Sequence, residues 1–244
     1  GGSATNDIGI GMLEALGYKY YNSNNERVSG TVENIENIVR IDNPKIIEKL
    51  KEVSFVVACD VSNTLLGPDG ATYSYGKQKG ANNEQLDKLE KRLKHFSDIA
   101  RKHTGVDYTN SEGAGAAGGV GFSAMSFLDA KFQSGFKLIQ KRIDLKNKIQ
   151  QNNYDLIITG EGSIDKQTSN GKLIMHLGKI GKKYSIPVIA FGGIVKEKLQ
   201  DLNLPGITGL KQISPDGCDL SIAIQKAPIY LEKALHDEVQ KYLN

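Results

Sequence analysis

The sequence predicts an α/β protein built as two lobes, each with a mostly parallel sheet covered by helices. Three observations carry that reading. From Tyr154 onward, short apolar runs alternate with helical stretches in a strand, loop, helix rhythm. Upstream, Ser54 to Cys59 (SFVVAC) is a short β-prone run that stops at Asp60. Between the two regions lies a polar stretch, 146–153, where the rhythm changes. It divides the chain into expected lobes 1–145 and 146–244.

The elements follow in order. Residues 7–16 predict a helix with Ile8, Met12, Leu13 and Leu16 on one face and Gly17 at its end. Residues 22–25 form a polar turn. A second helix is expected over 44–52, capped by Asp42 or Asn43, with Pro44 in its first turn. After the strand at 54–59 comes a long loop, 60–81, with Gly-Pro-Asp-Gly turn chemistry. Residues 82–104 give the clearest helix, with Leu86, Leu89, Leu93, Phe96 and Ala100 stepping by three and four. Residues 130–145 predict another, with Phe132, Phe136, Ile139 and Ile143 on its stripe. Strands are then expected at 156–159, 187–191 and 207–213, and helices at 172–184, 195–202 and 228–243.

Composition narrows the function classes. A 39% hydrophobic and 24% charged content suits a globular chain rather than a disordered one. A net charge of +3, without a basic stripe interleaved with aromatics, gives no ground for a nucleic-acid partner. No apolar run reaches membrane-spanning length, so no membrane partner is expected. Cys59 and Cys218, far apart, make neither a metal pattern nor a disulfide framework, and a reducing cytoplasm is the expected setting. His95, His103, His176 and His236 are scattered and read as surface or packed residues.

Several stretches carry chemistry. Glycines 113, 115 and 118 fit G-x-G-x-x-G, but the polar residues 107–112 make a poor preceding strand. Three readings stay open: a dinucleotide site, a helix start offering amides to an anion, and a Gly/Ala segment packed against another backbone. Asp60 at a strand end, with Asn63 beyond it, suits metal or hydroxyl binding, or else a loop-closing Asx turn. Lys77 and Lys79, flanked by glycines, can meet phosphate as point charges or stand solvated. Glu161 and Asp165, four apart in an expected loop, can hold Mg²⁺, or one can act as a base. Lys172 sits at an expected helix start, where a cation is not placed for helix stability.

These stretches, in order, resemble the glycerate kinase family of two α/β domains. The stretch GGSATNDIGIGMLEALG resembles the opening of its middle domain, and CDVSNTLLGPDGATYSYGKQKGA, GAGAAGGVG, TGEGSIDKQTSNGK and PVIAFGG resemble its next four blocks. The chain departs from the pattern at Thr64 after Asn63, where the family has proline, at Lys77, again a proline position, and at 173–175. The resemblance implies a glycerate kinase-like fold with an interlobe cleft. It makes 1–145 the substrate-side lobe and 146–244 the C-terminal part of a Rossmann-like or flavodoxin-like lobe. It also implies a preceding segment, with a strand, a lysine-bearing loop and an acidic glycine-rich loop, so that this is expected to be a partial chain.

The implied activity is phosphorylation of D-glycerate by ATP with Mg²⁺, giving phosphoglycerate and, on the resemblance, the 2-phosphate. The alternatives are a nucleotide-dependent oxidoreductase and a non-catalytic ligand-binding fragment. Asp60, Asp165 and Lys172 are the expected catalytic residues. Ser3, Asn6, Asp7, Asn63, Lys79, Gln167 and Thr168 are expected at the substrate, Gly113, Gly115, Gly118 and Gly119 at the nucleotide, and Glu161 with Asp165 at Mg²⁺. A homodimer is the candidate assembly.

Overall fold

A computed structural model describes residues 2–169 and 173–243. It divides the chain into two compact units, Gly1–Gly135 and Phe136–Asn244. The division therefore falls ahead of the polar stretch at 146–153.

The first unit contains α1 (Ile10–Ala15), β1 (Lys19–Tyr21), β2 (Arg27–Val28), β3 (Arg40–Asp42), α2 (Ile47–Lys51), β4 (Val56–Ala58), α3 (Ala71–Tyr75), α4 (Asn83–Thr104), α5 (Ala116–Leu128) and β5 (Lys131–Gln133). β4 and β5 pair in parallel, Val57 opposite Phe132. The small sheet β2-β1-β3 is antiparallel and was not expected; its strands are too short to show a period of two. Its central residue, Tyr20, is fully buried against the edge of Phe96, and its hydroxyl donates to Ile10 O at 2.8 Å. That bond joins sheet to α1 within a core that also holds Ile8, Leu13, Leu93 and Phe122.

α4 forms as expected. Asn82 accepts from Gln85 N while Gln85 reaches back to the Asn82 amide, a capping box that satisfies two otherwise open donors. The expected helix at 44–52 shrinks to α2. Asp42 belongs to β3, Asn43 takes His103 Nε2 at 2.9 Å, and neither caps it. The expected loop 60–81 contains α3 and a 3₁₀ turn, Lys77–Lys79. The expected helix at 130–145 opens instead as β5, whose Phe132 ring lies against Gly113.

In the first unit the chain packs tightly around the glycine-rich segment. Ala117, Gly118 and Gly119 are all left-handed, a kink at the start of α5. A Cβ on Gly118 would stand 2.2 Å from Thr5 O, and one on Gly115 would stand 2.2 Å from Thr64 O. The kink turns carbonyls toward the chain start: Thr5 Oγ1 donates to Ala117 O at 3.0 Å, and Ile8 N to Gly118 O at 2.9 Å.

The second unit contains α6 (Gly135–Arg142, whose first residue closes the first unit), α7 (Leu145–Gln151), β6 (Ile157–Ile164), α8 (Leu173–Tyr184), β7 (Val188–Val195), β8 (Gly209–Gln212), α9 (Leu220–Gln225) and α10 (Ala227–Leu243). Its sheet has the order β6-β7-β8 and is parallel throughout. The central strand β7 reads VIAFGGIV, the near-continuous apolar run of a strand covered on both faces. Val188 and Ala190 pack with Ile164, Ile174 and Ile207. The helix expected at 195–202 is only a 3₁₀ turn, Leu199–Asp201, since β7 itself runs through Val195. No described helix is long and apolar enough to cross a membrane.

Gly115 has an ordinary φ, so its replacement is opposed by contact alone. Gly115→Ala is expected to lower the melting temperature by about 10 °C, on the order of 3 kcal/mol. Gly162→Ala, with nothing within 4 Å of its added carbon, should change it by no more than ~2 °C. Equal melting temperatures for the two variants would refute the packing account.

Candidate functional site

The first unit holds a cavity of about 300 Å³ lined by Thr5, Asn6, Asp7, Gly76, Lys79 and Leu89, among others. Local chemistry places these groups. Asp7 starts α1: its Oδ1 accepts from Gly9 N at 3.0 Å and its carbonyl accepts from Ile10 N, the Asx-type turn expected of an aspartate there. Asn6 and Thr5 precede it, pressed onto Gly118. Lys79 ends the 3₁₀ turn after α3, and its ammonium donates to Thr5 O at 2.6 Å. Burial pushes the Lys79 ammonium below its usual range, and the Asp7 carboxylate partly offsets this.

Asn6 Nδ2 bonds Thr72 Oγ1 at 3.2 Å, while Asn6 Oδ1 is buried with no hydrogen-bond partner among the described residues. Buried acceptors in folded proteins are nearly always paired, so an open one marks a place for a donor. The cavity is thus lined by residues that carry one half-buried cation, one carboxylate and one amide whose oxygen is buried and unpartnered.

The other expected site residues fall as follows. Ser3 is exposed just before this segment. Asn63 is fully engaged at its nitrogen, donating to Asp69 O at 2.7 Å and Ser74 Oγ at 3.2 Å, and its Oδ1 accepts from Tyr75 OH at 2.6 Å. Asp60 Oδ1 accepts from Ser134 Oγ and Gly135 N, each at 2.9 Å, so it holds the last residues of the first unit. Gly115 N donates to Asn63 O at 2.9 Å and is not available to a phosphate. Gly113, Gly115, Gly118 and Gly119 all stand where a Cβ would press on neighbouring chain, which is the close-packing reading of the motif. Among the described residues no strand leads directly into them, since α4 and a turn come before, so the dinucleotide reading, and the oxidoreductase built on it, lack their structural context.

In the second unit, Glu161 lies within β6, opposite Gly192, rather than in a loop. Asp165 follows the strand and meets Lys196 Nζ at 3.8 Å. Their positions, one within β6 and one just past its end, are four residues apart along the chain. Among the described residues no group of three or more His, Cys, Asp or Glu could hold a metal. One carboxylate beside nucleotide phosphates still suits Mg²⁺, which keeps most of its waters. Thr168 is fully buried, and its Oγ1 accepts from Asp165 N at 3.2 Å, a bond that shapes the turn. Lys172 and the Gln167 side chain lie outside the described residues.

Sequence reasoning missed Thr72 and Tyr75. Both sit in the stretch taken as loop, where their spacing of three was the available signal.

Comparison with known proteins gives consistent results. The model of the glycerate kinase family matches residues 1–243. A glycerate kinase of Bacillus subtilis (strain 168) is 38% identical over 97% of this chain and 62% of its own length. A glycerate 2-kinase of Escherichia coli (strain K12) is 37% identical over 85% of this chain and 54% of its own. A crystal structure of a candidate glycerate kinase 2 from Salmonella typhimurium LT2 superposes with a TM-score of 0.70 at 30% identity, covering 98% of this chain and 64% of that one. The chain therefore spans 54–62% of the length of these two curated relatives.

The Asp60 bonds predict a structural response. Asp60→Ala should lower the melting temperature by a few degrees, about 1 kcal/mol for exposed hydrogen bonds. Asp60→Asn, which keeps an acceptor oxygen, should stay within ~1 °C of the parent. A full loss in the asparagine variant would show that charge, not the acceptor, matters.

Proposed function

The chain belongs to the glycerate kinase family, and on that ground we propose that the protein phosphorylates D-glycerate with ATP and Mg²⁺, yielding 2-phosphoglycerate. The cavity of the first unit is the D-glycerate site in this reading. One observation carries it: a half-buried cation, Lys79, lines the same small cavity as Asn6, whose buried amide oxygen is open. A small hydroxy acid presents the matching groups, a carboxylate for Lys79 and a hydroxyl donor for Asn6 Oδ1.

Phosphoryl transfer asks the protein for positioning and charge neutralisation more than for covalent chemistry. Lys79 fixes the carboxylate end. Asn6 and Asp7 orient the hydroxyls. Asp165 and Lys172 serve the phosphoryl end, Asp165 as the base and Lys172 as a neutralising charge. Mg²⁺, entering with the nucleotide and held by Glu161 and Asp165, would neutralise phosphate oxygens. Gly113, Gly115, Gly118 and Gly119 serve by the close approach they allow. Asp60 and Asn63 serve by holding the loop between them. A cytoplasmic setting suits the ATP that the reaction consumes.

The test supplies D-glycerate, ATP and Mg²⁺ and follows product through enolase, with and without added mutase. Signal without mutase is expected. Signal only with mutase would move the phosphate to the 3-position, and silence in both would overturn the activity for this chain. Asp165→Asn should remove turnover; an unchanged rate would take that carboxylate out of the reaction.

The Lys79 shift adds a pH prediction. The cation binds carboxylate, and burial makes it release its proton earlier than a free lysine. D-Glycerate affinity should therefore fall as pH rises, with a midpoint below 10.5. Lys79→Arg should move that limb above the accessible range, since arginine stays charged. Lys79→Met should weaken binding by about 10- to 100-fold. In stability the sign is reversed: the unfolded lysine keeps its proton longer, so the Lys79 contribution rises with pH across that window. Lys79→Met should accordingly melt no lower than the parent.

A further inference from the structure

We propose that the five-residue helix α3 is the positioning element of the cavity, with Thr72 setting Asn6 in its wall and Tyr75 setting Asn63 in the loop before the helix. The proposal rests on reading the cavity as the hydroxy-acid site.

Thr72 and Tyr75 are three apart and so share one face of α3. Thr72 is fully buried, and its hydroxyl oxygen accepts from Asn6 Nδ2 across 66 residues of sequence. With Asn6 Oδ1 unpaired, the Thr72 bond is what decides the direction in which that oxygen points. On the same face the Tyr75 hydroxyl donates to Asn63 Oδ1 at 2.6 Å. Burial pushes the Tyr75 phenol upward, which keeps it a donor across the neutral range. The two nitrogen bonds of Asn63, to Asp69 O and Ser74 Oγ, then fix its amide in one orientation.

The chain leaving α3 contributes to the cavity directly. Gly76 ends the helix so close to α4 that a Cβ would stand 2.3 Å from Leu86 Cδ2 and 2.6 Å from Thr72 O. Lys79 N then donates to Gly76 O at 3.0 Å, which directs the Lys79 side chain's turn. One short helix therefore governs an amide, a tight turn and a cation that line one cavity. If Thr72 merely stabilised the fold, its loss would lower the melting temperature without redirecting Asn6.

The test uses this chain with Thr72→Val, which keeps nearly the same shape without the hydroxyl, Thr72→Ser, which restores it, and Tyr75→Phe. Three quantities are read: the side-chain amide resonances of Asn6 and Asn63 in ¹⁵N spectra, D-glycerate affinity by calorimetry, and melting temperature. Thr72→Val should move the Asn6 resonances and weaken D-glycerate about tenfold. Thr72→Ser should return affinity to within about twofold of the parent. Tyr75→Phe should move the Asn63 resonances. Unmoved Asn6 resonances in Thr72→Val, or no recovery in Thr72→Ser, would overturn the positioning role. A parent chain that binds no D-glycerate while the resonances shift as expected would support the positioning and overturn the substrate assignment instead.

Discussion

The first unit depends on one close approach: the chain start, through Thr5 to Ile8, lies directly on the kink at Ala117 to Gly119. Nothing but glycine fits at Gly118, where a Cβ would stand 2.2 Å from Thr5 O. The kink also redirects the Ala117 and Gly118 carbonyls, which would otherwise serve the helix, to accept from Thr5 and Ile8. Ser123, further along α5, donates to Ile8 O and holds the segment from the other side. With the chain start fixed in this way, Asn6 and Asp7 reach the cavity wall, and Thr5 O is in place to receive the Lys79 ammonium. The glycines act on the site through backbone distance rather than by touching a ligand.

This explains which parts of the molecule the sequence disclosed. α4 was legible because its core positions repeat over many turns and its cap is written in side chains, Asn82 and Gln85. β6 and β7 were legible as apolar runs, although their ends were not. Glycine weakens a strand interior and often marks its interruption, so β6 was expected to stop before Glu161. Here Gly160 and Gly192 stay in register with their partners, and the strand continues to Ile164. Phe132 misled for a related reason: its spacing to Phe136 fits a helix, yet it is a strand residue packed on Gly113. The three strands β1 to β3 span two or three residues each, below the length at which periodicity has meaning.

The site divides along the same line. Asn6, Asp7 and Lys79 were readable as polar groups in glycine-flanked chain, and they meet in one cavity. Their convergence was not readable from spacing, because it joins segments more than 70 residues apart through bonds such as Lys79 to Thr5 O. Asp60, Asn63 and Thr168 were readable as polar groups at strand ends and turns, but their bond partners, largely backbone and neighbouring loop, were not.

Departures from local favourability gather around the cavity. Ile8 has a φ of 56° and Ala117 of 52°, left-handed values that a β-branched residue in particular resists. Asn6 leaves a buried oxygen open, and Lys79 keeps a cation where burial disfavours it. Each of these costs stability, and each is held by the surrounding structure rather than by its own preference. Packing alone accounts for the left-handed glycines, since the chain start must approach. It does not account for the open amide oxygen or the half-buried lysine, which an apolar substitution would relieve. Those two features are of opposite chemical demand, one an acceptor without a donor and the other a cation only partly offset by Asp7, and their residues line the same small space. A ligand carrying both a hydroxyl and a carboxylate answers both demands at once, so the cost to the free protein becomes selectivity for that ligand.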